Sequence, residues 1–142
     1  MNVRKWEYTD ILKISEIEKA TFTPSWNYQM LADTFLTKTF TGIIAESEGI
    51  IVGFGCFTNV SGEADILKVA VVGCYRRQGV GDTILKEIIK ECLIQGVSTI
   101  SLEVRKSNQF AIKLYKKNDF DIIATRVKYY GDEDAYVMQR TF

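Results

Sequence analysis

The sequence predicts a mixed α/β fold: a mostly antiparallel sheet with a central parallel strand pair and about four helices, strands outnumbering helices. Three observations carry this. Apolar residues recur at helical spacing in Ile11, Ile14, Ile17 and Ala20, and again in Val80, Ile84, Leu85, Ile88, Ile89, Cys92 and Leu93. Between these stretches, β-rich segments follow one another across short Gly-containing turns, as in an antiparallel meander. After the longer helix comes an alternating segment, and a strand–helix–strand crossover makes that segment parallel to the last meander strand.

In chain order, Asp10 caps a helix running to about residue 20, and a second helix spans residues 27–37, leaving residues 21–26 as an exposed connection. Strands at 41–47 and 50–59 meet at Glu48-Gly49, and a third strand, 63–72, follows Ser61-Gly62. The helix over 79–95 carries Asp82, Lys86, Glu87, Lys90 and Glu91 opposite its apolar side, and Gly96 caps its C-terminus. Residues 98–104 alternate, with Ile100, Leu102 and Val104 on one face and Thr99, Ser101 and Glu103 on the other. Ser107 or Asn108 caps a further helix to about Lys117, and segments 120–127 and 135–142 form a final hairpin around residues 129–134. With no internal repeat and a single proline, Pro24, residues 1–142 read as one domain.

Eighteen basic residues balance eighteen acidic ones, so no general field attracts nucleic acid or an anionic membrane. No apolar run approaches the roughly 20 residues that span a bilayer, and residues 1–10 lack the basic-then-apolar order of a signal peptide. Cys56, Cys74 and Cys92 are an odd number without CxxC spacing, which suits a reducing compartment; the expectation is a cytoplasmic protein. The chain has no histidine, which removes Ser-His-Asp and Cys-His nucleophile systems and His-containing zinc sites. No metal is expected, and any acid or base is Glu, Asp, Tyr, Cys or Lys.

The most informative motif is Arg76-Arg77-Gln78-Gly79-Val80-Gly81, between a strand and the longest helix. A helix start offers unpaired N–H groups and partial positive charge, and glycine lets a phosphate approach the backbone. The two arginines add charge for phosphate oxygens. A dinucleotide fingerprint would need a third glycine where Ile84 stands, and no Gly-Lys-Ser/Thr of a nucleoside-triphosphate loop occurs. The turn reads as a diphosphate site.

This motif resembles the acetyl-CoA signature of the GCN5-related N-acetyltransferase superfamily. Val69-Ala70-Val71, Leu102-Glu103-Val104-Arg105, Ser107-Asn108, Ala111-Ile112, Leu114-Tyr115, Tyr129-Tyr130 and Glu133-Asp134-Ala135 carry the likeness further, to the bacterial ribosomal-protein alanine N-acetyltransferases of the RimI type. Three features depart from that pattern: Gly73-Cys74 replaces a common acidic residue and proline, Asp119 replaces a usual glycine, and the loop after Tyr130 is short. Asp119 is nonetheless among the residues that tolerate a left-handed turn.

The resemblance implies transfer of an acetyl group from acetyl-CoA to the N-terminal α-amino group of a protein, in this type alanine of a ribosomal protein. Glu103 would be the general base, acting directly or through water, and Tyr115 the general acid to the departing thiolate. Val69, Ala70 and Val71 would pair with the pantetheine arm and aim a main-chain N–H at the acetyl oxygen. Arg76, Arg77, Gln78, Gly79, Val80, Gly81 and Asp82 would hold the pyrophosphate, with Asn108 and Ala111 as further cofactor contacts.

Read without the resemblance, Glu103 is a surface carboxylate paired with Arg105 or Lys68, Tyr115 a core residue with its hydroxyl bonded, and Asn108 an N-cap. Cys74 before two arginines offers a covalent alternative. Residues 23–26 and 129–134 are the expected acceptor walls, with Asp132-Glu133-Asp134 offering carboxylates to a cationic amine. A small-molecule amine as acceptor, or a non-catalytic acyl-CoA-binding module, are the alternative functions.

Overall fold

A computed structural model describes residues 1–142. In chain order the elements are β1 (Asn2–Lys5), a 3₁₀ turn (Tyr8–Asp10), α1 (Ile11–Thr21), α2 (Tyr28–Phe35), β2 (Phe40–Ser47), β3 (Ile50–Val60), β4 (Glu63–Val71), a 3₁₀ turn (Gly73–Tyr75), α3 (Val80–Ile94), β5 (Thr99–Arg105), α4 (Gln109–Lys117), β6 (Asp121–Arg126) and β7 (Ala135–Thr141). The strands form one seven-stranded sheet in the order β1-β2-β3-β4-β5-β7-β6. Every pairing is antiparallel except β4 with β5. The predicted class, its parallel pair and its four helices therefore hold.

Two hydrophobic layers cover the two faces. Ile84, Leu85, Ile88 and Cys92 of α3 and Ile112 and Tyr115 of α4 pack with Ile66, Ile100, Leu102 and Val104 on one face. Ile11, Ile14 and Ile17 of α1 and Leu31 and Ala32 of α2 pack with Ile44, Phe54, Cys56 and Ala70 on the other. Gly96 ends α3 with φ 77°, its N–H bonding Leu93 O while Val97 N–H bonds Cys92 O, the paired bonds of a glycine-terminated helix.

Four sequence expectations need correction. β1 is a strand the pattern does not announce: Asn2, Val3, Arg4 and Lys5 pair with Glu46, Ala45, Ile44 and Ile43 at the edge of β2. Asp10 precedes α1 but makes no cap bond to it, because its carboxylate accepts from Arg4 at 2.8 and 2.9 Å and from Glu7 N–H at 2.7 Å. Residues 21–26 are not simply exposed, since Phe22 and Trp26 are half-buried against the α1 layer. α2 is also shorter than expected; Asn27 caps it by accepting from Met30 N–H at 2.9 Å.

Trp6, 6% exposed, closes this layer: its indole N–H donates to Ile43 O, and its ring meets Phe40 and Phe54 edge-on. A Cβ added at Gly42 would lie 2.5 Å from that indole. Gly42→Ala is expected to destabilise the fold by about 1–3 kcal/mol through overpacking, read as a lower urea midpoint at unchanged m value.

Candidate active site

The parallel pairing of β4 and β5 is confined to Glu63–Thr99, Ala64–Ile100 and Asp65–Ser101. Beyond it β4 pairs with β3 alone and β5 with β7 alone, so residues 66–71 and 102–105 line an opening in the middle of the sheet. The cause is local. Lys68 opposes Cys56 and Ile66 opposes Phe57, which leaves Leu67 as an extra bulged residue that turns β4 away from its neighbour.

The orientation of β4 follows from its bonds. Val72 N–H donates to Val52 O at 2.9 Å, and the carbonyls of Ala70 and Lys68 crowd Gly53 and Gly55 of β3. By the two-residue alternation of a strand, the main-chain groups of Val69 and Val71 face the opening. Arg76 Nε donating to Val71 O at 3.3 Å agrees with this. An extended ligand arm can add to that edge as a strand would.

At one end of the opening stands the start of α3. Arg77 and Gly79 both have positive φ, 62° and 81°, so the chain curls there. The first bond into the helix is Thr83 N–H to Gly79 O at 3.0 Å, and no main-chain N–H from Arg77 to Asp82 has a partner within the chain. Successive free N–H groups in such a turn make an anion-binding concavity, reinforced by the helix dipole and the exposed Arg76 and Arg77. Gly81 packs closely: a Cβ there would come 3.3 Å from Leu114 and 3.7 Å from Val71.

Asp82 contributes differently from its neighbours. Its carboxylate accepts from Asn118 at 3.0 Å and Lys86 at 2.7 Å, and these bonds, Asn118 first, hold it below the usual carboxylate range. It thereby ties α4 to the first turn of α3, leaving its N–H for the anion. Asn108, not Ser107, caps α4, accepting from Ala111 N–H at 3.1 Å. Ser107 is bound to Glu133 instead.

Glu103 alternates out of the layer that holds Leu102 and Val104, so it lies on the α1 face of the sheet. Its one partner is Arg126 Nη1 at 3.2 Å. Glu103 is thus a partly exposed, salt-bridged carboxylate, but neither Arg105 nor Lys68 pairs with it, because Asp132 and Glu133 take Arg105 and Glu18 takes Lys68. Tyr115 lies in the α3–α4 layer, 5.8 Å from the Phe120 ring. Burial first, and Tyr130 second, push its hydroxyl above the ordinary value of 10.0, and no hydrogen bond contributes. Burial first, then the neighbouring Tyr129 and Glu103, push the Tyr130 hydroxyl above its ordinary value.

Other residues fall outside this arrangement. Cys74 is an exposed free thiol in the 3₁₀ turn. The acidic run is engaged internally, Asp132 and Glu133 with Arg105, Glu133 with Ser107, and Asp134 with Lys128 N–H and Lys106, so it shapes the loop instead of offering free carboxylates. An open cavity of about 360 Å³ between α1 and the end of β4, walled by Ile17, Ala20, Val72 and Arg76, includes neither Glu103 nor Tyr115. No group of three or more His, Cys, Asp or Glu is placed to hold a metal ion. No helix is long and apolar enough to cross a membrane.

An opened parallel strand pair, a helix start with free N–H groups beside it, and a carboxylate and a phenol on opposite sheet faces form an arrangement suited to group transfer from a phosphate-bearing donor. The acetyltransferase (GNAT) family model matches residues 11–120, and the chain belongs to that family of N-acetyltransferases. It is 32% identical over 139 residues to the Bacillus subtilis putative [ribosomal protein bS18]-alanine N-acetyltransferase, covering 96% of this chain and 92% of that one. The crystal structure of the Escherichia coli ribosomal-protein-S18-alanine N-acetyltransferase superposes with a TM-score of 0.92 at 30% identity, covering 99% of this chain and 92% of that one. The Thermoplasma acidophilum PaiA N-acetyltransferase in complex with coenzyme A shares the fold, with a TM-score of 0.84 at 18% identity, covering 99% and 98%.

Proposed function

We propose that this enzyme takes acetyl-CoA and acetylates the N-terminal α-amino group of a protein, alanine of a ribosomal protein, working as a single domain in the cytoplasm. The observation that carries the reading is the opening between β4 and β5, where the free main chain of Val69 and Val71 lies between Glu103 on one face and Tyr115 on the other. The residues present fit the donor. The free N–H groups of residues 77–82, with Arg76, Arg77 and Gln78, suit a pyrophosphate, and the β4 edge suits a pantetheine arm. Asn108 retains its side-chain amide for a further contact, while the N–H of Ala111 is held by the cap.

Acetyl-CoA supplies a thioester carbonyl open to an amine. The N–H of Val69 donates to the carbonyl oxygen, where negative charge develops. Glu103 receives the proton of the attacking amine, directly or through water; an α-amine with a pKa of about 7.7–8.0 needs only a modest pull near neutral pH. Tyr115, protonated throughout that range, donates to the departing sulfur. The similarity to ribosomal protein S18-alanine N-acetyltransferases supports the choice of acceptor.

Mass spectrometry of transfer from acetyl-CoA to peptides with free Ala, Ser or Met N-termini, beside N-blocked lysine peptides and spermidine, tests the reading. Transfer to an α-amine, Ala foremost, is expected. Transfer confined to spermidine or lysine would assign a small-amine or side-chain acceptor, and acetyl-CoA binding without any transfer would assign a binding module.

A further inference from the structure

Glu18 of α1 is fully buried. Its Oε1 accepts from Trp26 N–H at 3.1 Å and pairs with Lys68 Nζ at 2.9 Å, whereas Oε2 has no partner. Lys68 comes from the bulged part of β4, and its ammonium lies 4.2 Å from the Phe22 ring centre and 5.0 Å from that of Trp26. Its side chain is 14% exposed, so the lysine is held in place but not sealed from solvent. Burying such a pair does not by itself stabilise a fold, because desolvation of both charges offsets their attraction. A lysine drawn inward here calls for a role.

Lys68 is placed for one. It immediately precedes Val69, whose N–H faces the opening, and it projects on the α1 face, the face that also carries Glu103. The acceptor amine must reach the opening between these two strands. An ammonium has three donors, and Glu18 occupies one. The pair is neutral in sum, so it offers hydrogen bonds without a net demand for an anion.

We propose that Lys68, held by Glu18 between Phe22 and Trp26, determines acceptor specificity by donating a hydrogen bond to the carbonyl oxygen of the acceptor's first residue. This rests on reading the α1 face as the acceptor side. It makes the enzyme selective for amines with a carbonyl on the adjacent carbon, whatever follows that carbonyl.

The test compares L-alaninamide with isopropylamine, which keeps the branched amine and lacks the carboxamide, at equal concentrations of neutral amine. Wild-type kcat/KM is expected to favour alaninamide by about 10–100-fold, the range of a charged hydrogen bond. Lys68→Met alone leaves Glu18 charged and buried, so the informative variant is Glu18→Gln with Lys68→Met, which removes both charges at similar volume. In it the preference should fall to within about threefold, the loss appearing in KM for alaninamide with KM for acetyl-CoA unchanged. Should that variant fail to fold, Glu18→Gln with Lys68→Leu, which likewise leaves no donor at position 68, replaces it. A preference retained in the variant, or absent from the wild type, overturns the proposal. Failure of the protein-acceptor reading looks different: alaninamide is then acetylated while the Ala peptide is not.

Discussion

Tyr115→Phe is expected to lower kcat by about 10²-fold, near 2.7 kcal/mol of transition-state stabilisation, while leaving the fold and KM for acetyl-CoA almost unchanged. The separation is possible because ring and hydroxyl do different things. The ring is packed in the α3–α4 layer against Phe120, and phenylalanine keeps that contact. The hydroxyl has no hydrogen bond in the chain to lose. Burial raises its pKa, so the group stays protonated across a neutral assay range and can give a proton to a thiolate at any pH used. Steady-state kinetics with a thermal melt decide the matter: a kcat within twofold of wild type at an unchanged melting temperature removes Tyr115 from the proton path.

Much of this arrangement was legible in the chain itself. The crossover from β4 through α3 to β5 is written in one long helical period followed by strict alternation, and the same alternation puts Glu103 opposite Leu102 and Val104. Asp119 takes the left-handed conformation that its residue type allows, φ 67°. Where local pattern and tertiary partner are independent, the reading failed. Asn2-Val3-Arg4-Lys5 has no apolar period, and it is a strand because the edge of β2 offers unpaired groups and Arg4 bonds both Asp10 and Glu46. Glu18 and Lys68 each look like solvent-facing charges, and only the fold brings residues fifty positions apart to 2.9 Å. Arg77 accepts a positive φ without being glycine, a strain that no residue count announces. The opening itself depends on Leu67 being bulged, and Ile66-Leu67-Lys68 carries no sign of it.

Glu103→Gln is expected to lower kcat/KM for the acceptor by about 10²-fold near pH 7, with a deficit that narrows as pH rises. Glutamine keeps an oxygen for the Arg126 guanidinium now 3.2 Å away, so the local geometry survives. Both side chains of this pair are partly exposed, 31% and 53%, so losing the charge should change stability little. What the variant lacks is a place for the amine's proton. Below the α-amine pKa of about 7.7–8.0 most acceptor is ammonium, and removing its proton limits the reaction; above it the neutral amine predominates and less of the base's contribution is needed. The ratio of wild-type to variant rate should therefore fall steadily between pH 7 and about 9. A ratio that stays constant over that interval would mean that Glu103 orders the site, through Arg126 and Tyr130, instead of moving the proton. Arg126→Ala separates the two further: it frees the carboxylate without removing it, so a proton-accepting Glu103 keeps its pH-dependent advantage there, whereas an ordering role is lost together with its partner.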